Sequence, residues 1–145
     1  MVNATVVRPG TAAATVRAMA KVQLRDVCGV RSGDKGDMSD LTLFMDSQQA
    51  YEAICEAVSA EMVSGHFEGL IGGSVERYEV PNIWALKFVM TDALAGGGPR
   101  SLRSDNLGKT LGGALLRLEI DLPAEVVESS QRRGRRAPVD RTPIT

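Results

Sequence analysis

The sequence predicts an α+β fold: a two-layer sandwich with two helices on one face of a small, mainly antiparallel sheet. Three observations favour this class. Short apolar runs alternate with longer apolar stripes at helical spacing. Glycine or proline separates most of these segments. The 145 residues are enough for one domain with a modest core.

The first half of the domain is predicted to hold two strands and a helix. Residues 22–30 alternate loosely between apolar and polar side chains, and residues 41–45 form a second short apolar run. Ser47 is a suitable N-cap for a helix to about residue 63, because apolar side chains recur there along one face. Gly65 would end this helix.

The second half begins with a strand and another helix. Residues 74–80 alternate as a strand with one solvated face does, and Pro81 would end it because proline cannot donate to a strand ladder. Asn82 is then predicted to cap an apolar helix over residues 83–94. The glycines at 96–98 would close that helix.

Two further strands and two disordered ends complete the prediction. Residues 101–103 and 114–122 are interpreted as strands, and with this element order a ferredoxin-like arrangement fits best. Residues 1–20 are predicted to be a disordered leader and residues 21–123 the folded domain. Residues 124–145 are predicted to be a disordered, arginine-rich tail.

The charge balance gives no reason to expect nucleic acid or a membrane as a partner. The chain has 17 Lys and Arg against 18 Asp and Glu, a formal net charge of −1. No run of 18 apolar residues is present, so we expect no membrane-spanning segment. Cys28 and Cys55 lie in apolar stretches without metal-ligand spacing. We predict that they are buried free thiols in a reducing cytoplasm.

The most informative segment reads Arg-Ser-Gly-Asp-Lys-Gly-Asp over residues 31–37. It places four charges and two glycines in a predicted loop after the first strand. Glycine permits a positive φ and a close approach of another chain segment. The charged side chains could therefore clamp one another in a salt-bridged turn, or they could meet an anion or a neighbouring chain.

A second candidate loop follows the second predicted helix. Gly96, Gly97 and Gly98 could turn backbone N–H groups toward a phosphate or carboxylate, with Arg100 and Arg103 supplying charge. No Walker or dinucleotide fingerprint is present. Further along, Gly108-Lys109 is interpreted as a hairpin turn.

Acid–base and metal chemistry have few candidates in this chain. His66 is the one histidine, and its place after a helix is typical of a surface or capping residue. Asp34, Asp37 and Asp40 recur every three residues but lack the oxygen-rich alternation and the terminal Glu of an EF-hand. We therefore expect no metal and no cofactor, and a binding or subunit role rather than an autonomous enzyme.

A set of motifs recurs in the same order in one known family. They lie at residues 31–37, 77–82, 85–86, 88–89, 93–94, 96–98, 101–103, 105, 108–112 and 115–117. Together they resemble the small C-terminal ferredoxin-like domain of the acyclic terpene utilisation protein AtuA and its relatives. The resemblance runs from about residue 22 to residue 123. It departs from the family where Asp40-Leu41-Thr42 replaces the usual Asn-Ile-Gly, and where Lys87 replaces Asn.

The resemblance implies a role in the bacterial catabolism of acyclic terpenes and related branched acyl-CoA compounds. The domain commonly follows a much larger domain, so this chain resembles a stand-alone small subunit. A large AtuA-like partner would then carry the hydratase- or lyase-type chemistry on the acyl-CoA substrate. The candidate ligand or interface residues are Arg31, Ser32, Gly33, Asp34, Lys35, Gly36, Asp37, Asn82, Gly96, Gly97, Gly98, Arg100, Ser101 and Arg103.

Two alternatives stay open at this stage. The chain could be an independent, homo-oligomeric binding module for CoA-like anions. It could also be an autonomous hydratase with Asp34 or Asp37 as the catalytic base.

Overall fold

A computed structural model of the chain describes residues 17–134, with side chains described to residue 130. The bounds of the strands and helices are β1 Met19–Gln23, β2 Gly29–Lys35, β3 Met38–Phe44, α1 Gln48–Ala57, α2 Ala60–His66, β4 Val75–Val80, β5 Ala85–Met90, α3 Leu111–Leu115, β6 Glu119–Pro123 and α4 Ala124–Gly134. Two short 3-10 turns, Leu24–Asp26 and Pro81–Ile83, join β1 to β2 and β4 to β5.

The strands form two antiparallel sheets. The larger sheet has the order β2-β3-β5-β4, and β1 pairs with β6 in a second, two-stranded sheet. In the larger sheet, Leu41 of β3 lies opposite Phe88 of β5, and Leu43 lies opposite Leu86. Antiparallel sheets packed with helices confirm the predicted α+β class.

One face of the larger sheet carries the core. On β3 and β5 every second side chain is buried, so that Leu41, Leu43, Leu86, Phe88 and Met90 are fully enclosed. Apolar side chains of all four helices join them in one continuous cluster. The opposite face, which we call the outer face, carries exposed and half-exposed side chains.

The predicted second helix is wrong. Residues 85–90 form β5, and Asn82 lies in a 3-10 turn instead of capping a helix. Trp84, at φ 48° and ψ 51°, is left-handed and separates the turn from the strand. A short apolar run in a central strand cannot be distinguished from a buried helix by periodicity alone, which explains the error.

The predicted first helix is divided in two. Ser47 caps α1 as predicted, because its Oγ accepts from the N–H of Ala50 at 3.2 Å. Val58 is extended and ends α1, and Ser59 then caps α2 by accepting from the N–H of Met62 at 3.1 Å. The sequence signal for this break is Ser59, a second N-cap residue within the apolar stripe.

The early strands are partly confirmed. The predicted strands at 41–45 and 74–80 correspond to β3 and β4. The predicted strand at 22–30 divides between β1 and β2. The candidate loop at 31–37 is mostly strand, since β2 continues to Lys35 and only Gly36 and Asp37 form the turn.

The last part of the chain differs from the prediction. Residues 101–103 are not a strand, and the predicted strand at 114–122 is α3 followed by β6. Residues 124–134 of the predicted disordered tail form α4. Residues 1–16 of the leader and residues 135–145 of the tail lie outside the described residues.

Two further predictions concern the thiols and the membrane. Cys28 and Cys55 are free, as predicted, although both are half-buried rather than fully enclosed. Burial raises the pKa of the Cys28 thiol to about 12. Over residues 17–134, every helix is too short or too polar to cross a membrane.

Candidate functional site

The two candidate loops meet at one end of the larger sheet. We call this region the hairpin end: the β2–β3 turn at residues 35–38 and the long loop at residues 91–110. Gly36 turns the chain at φ 60°, a conformation that glycine adopts without strain. This tight turn places Asp37 directly against the start of the long loop.

Asp37 holds the long loop in place. Its Oδ1 accepts from the backbone N–H groups of Leu94 and Gly96, each at 3.0 Å. Its own carbonyl oxygen accepts from the N–H of Ala93 at 2.9 Å. Gly97 makes the contact possible, because a Cβ there would lie 2.8 Å from the carbonyl oxygen of Gly36. Asp37 is thus the acceptor around which the loop folds.

Arg103 anchors the far side of the same loop. One guanidinium nitrogen donates to the carbonyl oxygen of Ala93 at 2.9 Å, and another donates to that of Leu70 at 2.8 Å. The Oγ of Ser101 accepts from the N–H of Arg103 at 3.3 Å. The arginine therefore connects the long loop to the turn that follows α2. Its guanidinium group donates to two backbone carbonyl oxygens.

Asp105 organises the end of the loop before α3. Its carboxylate accepts from the N–H groups of Lys109 and Thr110, both at 2.8 Å, and from the Thr110 hydroxyl at 2.6 Å. The hydroxyl hydrogen bond is the main cause that lowers the pKa of Asp105 below its ordinary value. The predicted hairpin turn at Gly108-Lys109 is instead this turn into α3, since no strand follows it directly.

Two polar side chains of β2, Ser32 and Asp34, contact residues in and just before α3. Asp34 forms an ion pair with Lys109. The Oγ of Ser32 accepts from the N–H of Gly112 at 3.0 Å, and a Cβ at Gly112 would lie 2.6 Å from that Oγ. These contacts join the motif at 31–37 to the motif at 108–112, which lies far from it in the sequence.

Asp40 and Lys87, two of the positions at which the resemblance was expected to fail, form a pair with each other. Asp40 on β3 and Lys87 on β5 make a salt bridge at 3.2 Å, half-exposed on the outer face of the sheet. A Cβ at Gly33 would collide with the Asp40 carboxylate, so the glycine makes room for it. The two side chains therefore neutralise each other across neighbouring strands of one sheet.

The other candidate residues stand apart from this framework. Lys35 and Arg100 are exposed at the hairpin end, and Arg31 is exposed on the outer face. These three cations form no salt bridge with another described residue. Asn82 is exposed at the opposite end of the sheet, beside β5's first residue Ala85. The structure therefore brings 34–37 and 96–103 together but not Asn82.

Sequence reasoning missed Leu102. This leucine is fully exposed (102%), although it lies between Ser101 and the anchored Arg103. Its neighbour Leu107 is 40% exposed, and Met38 of the turn is 43% exposed. An apolar residue inside a loop of glycine, arginine and serine was the available signal. Single exposed apolar residues are common, but a leucine with its whole side chain exposed in an anchored loop is unusual.

Donors already contact the three carboxylates at this end of the sheet. The contacts given above involve Oδ1 of Asp37, Oδ2 of Asp34 and both carboxylate oxygens of Asp105. His66 lies apart, with its Nε2 2.7 Å from the carbonyl oxygen of Ala114. Across residues 17–134, no three His, Cys, Asp or Glu side chains gather as metal ligands do. What the site offers is a rigid surface with exposed leucines and cations.

Comparison with known proteins gives one match. The family model described as AtuA ferredoxin-like domain matches residues 22–121, more than half of the chain. Its description agrees with the ferredoxin-like arrangement predicted above. No curated protein and no solved structure matches the chain.

Proposed function

This chain belongs to the AtuA ferredoxin-like domain family, and on that premise we propose that it is the small subunit of a two-component, cytoplasmic AtuA-like enzyme. The large chain carries the hydratase- or lyase-type chemistry on an acyl-CoA substrate from the catabolism of terpenes or related branched compounds. The small subunit binds it through the hairpin end.

The observation that carries this proposal is the exposure of Leu102. The exposed side chain of Leu102 contributes nothing to the stability of the domain. It nevertheless lies in a loop whose two sides are fixed by Asp37 and Arg103. Burying such a side chain in a partner contributes about 2 kcal/mol, and prior rigidity lowers the entropic cost of binding. Leu102 has the properties of an interface anchor.

The charges around it support a protein or substrate partner of acidic character. Lys35 and Arg100 are exposed at the same hairpin end and lack an acidic partner among the described residues. Cations at the rim of an apolar patch steer an acidic surface into place and contribute more to association rate than to affinity. The acidic counterpart is a feature to look for on the large chain.

The occupied carboxylates support placing the catalytic groups on the partner. A general base needs a free acceptor near the substrate proton. Asp37 already accepts two backbone N–H groups, and Asp34 is paired with Lys109. Activity of the complex retained by an Asp34→Ala, Asp37→Ala double variant would exclude these residues as the base.

The test is a pull-down from the native host with the full chain as bait, followed by mass spectrometry. We expect a large AtuA-like chain in stoichiometric amount, and we expect the Leu102→Asp variant to lose it. Met62→Asp is the matched control, since Met62 is an exposed apolar residue of α2 (37%) away from the hairpin end. Recovery of the small chain alone, or equal capture by both variants, would overturn the proposal.

A second candidate function is favoured by the same exposed cations. The chain can bind a CoA-like anion by itself through Lys35 and Arg100, whose side chains suit phosphate groups. Titration calorimetry with CoA and with an acyl-CoA thioester tests this directly. A saturable heat that is lost in a Lys35→Ala, Arg100→Ala variant supports it, and no saturable heat excludes it.

A further inference from the structure

The outer face of the four-stranded sheet has no described element packed on it. Its side chains alternate with the core-facing ones, so that Arg31, Asp40, Thr42, Lys87 and Tyr78 all point to this side by their register. Each of the five is exposed or half-exposed. A sheet with one polar face would need no partner, but this face is not uniformly polar.

Apolar side chains interrupt the charges on the outer face. Met38 and Phe44 are 43% and 38% exposed, and Tyr78 is 49% exposed. Val80 on β4 and Val89 on β5 are half-exposed on the same face. A shallow cavity of about 190 Å³ opens at the hairpin side of this face, lined by Lys35, Met38, Ser39, Asp40, Lys87 and Val89. The face thus offers both apolar projections and a recess.

The charges of this face are distributed unevenly between its two edge strands. β2 contributes the cations Arg31 and Lys35, which have no acidic partner among the described residues, whereas β4 contributes the carboxylate of Glu76. In the two middle strands, Asp40 and Lys87 neutralise each other through their salt bridge. One edge of the face is therefore positive and the other negative.

We propose that the outer face binds a second copy of this chain, with the twofold axis parallel to the strands. That axis places β2 of each copy over β4 of the other, so the positive edge meets the negative edge twice. It also places β3 over β5, which brings Met38 of one copy toward the recess beside Val89 of the other. The face is complementary to itself in both charge and shape.

The area of the outer face determines how tightly we expect the two copies to bind. Four strands about 4.8 Å apart, each contributing about six residues at 3.3 Å, give a face of roughly 20 by 20 Å. Stable complexes usually bury about 800 Å² on each partner, about twice that flat area. We therefore expect a dimer that dissociates in the micromolar range.

The inference does not rest on the proposed function, and its experiment uses the full chain alone. Sedimentation velocity over low to high micromolar concentrations should give a reversible monomer–dimer equilibrium. Val89→Asp, in the recess, should make the chain monomeric, and circular dichroism checks that this variant stays folded. Leu102→Asp at the hairpin end should dimerise as the unchanged chain does.

A charge-exchange series makes the geometry testable even if Val89→Asp unfolds. Arg31→Glu and Glu76→Arg should each weaken the dimer by about fivefold or more, because like charges then face each other. The double variant restores an opposite-charge pair between positions 31 and 76, with Lys35 unchanged, and should therefore dimerise more tightly than either single variant. A chain that stays monomeric throughout overturns the proposal, as does a dimer that the single exchanges leave unchanged or that the double exchange does not strengthen relative to both single variants.

Discussion

The hairpin end and the outer face of the sheet use their charged residues in opposite ways. At the hairpin end, Asp37, Arg103 and Asp105 bond mainly to backbone groups and build the loop, and the surface they leave exposed includes Leu102. On the outer face, Asp40 and Lys87 bond to each other across two strands and could be removed without unfolding a loop. A dense charged motif can therefore form part of the structural framework, whereas a salt-bridged pair on a sheet face need not hold any loop in place.

The largest difference between the two regions should appear in the Asp37→Ala variant. It leaves two N–H groups without their charged acceptor, and we expect a loss of about 3 kcal/mol in the free energy of unfolding. Asp40→Ala is the matched change on the outer face, and it should cost less than about 1 kcal/mol. Urea unfolding of both variants measures this, and equal losses would refute the comparison.

Two glycine-to-alanine changes test whether the backbone of the hairpin end is as tightly packed as the contacts of Asp37 indicate. Gly97→Ala combines a φ of 92° with a Cβ only 2.8 Å from the Gly36 carbonyl oxygen, so we expect a loss of about 2 kcal/mol. Gly113→Ala is the control, because a Cβ in that position of α3 meets nothing within 4 Å. The control should be neutral or slightly stabilising, since alanine favours helix. Thermal unfolding distinguishes the two, and a Gly97→Ala variant as stable as the control would contradict the close contact.

The smallest expected effect is a pH dependence at Asp105. Hydrogen bonds in the folded state, chiefly from the Thr110 hydroxyl, lower its pKa, so its contribution to stability is complete above the ordinary carboxyl value of about 4. That contribution is lost as the pH falls through the lowered pKa. The melting temperatures of the unchanged chain and of Asp105→Asn should therefore converge below about pH 4. A difference in melting temperature that stays constant from pH 7 to pH 3 would show that the charge of the Asp105 carboxylate does not contribute to stability.

Local signals were sufficient for part of the fold. Ser47 and the apolar stripe after it located the start of α1, and alternation located β4. β5 was missed because Leu86, Phe88 and Met90 are buried in the middle of a sheet, where the flanking residues are also largely apolar. Burial in the tertiary structure determines that this segment is a strand, and a single sequence does not show directly which residues are buried.

The candidate site was predictable in its residues but not in their roles. The motifs at 31–37 and 96–103 were identified, and they meet in space. The role of Asp37 depends on Leu94 and Gly96, which follow it by 57 and 59 positions, so no local pattern could specify it. The exposure of Leu102 is equally a property of the folded loop, since its neighbours Ser101 and Arg103 are partly buried.

The edges of the larger sheet also restrict how copies of this chain can assemble. β2 and β4 are its edge strands, and each contains three charged residues: Arg31, Asp34 and Lys35 on one, and Glu76, Arg77 and Glu79 on the other. Charged side chains on an edge strand hinder the addition of further strands and hence open-ended polymerisation. Such edges favour a closed assembly over a growing fibre, and this would keep the chain from aggregating at the high concentrations that a weak association requires.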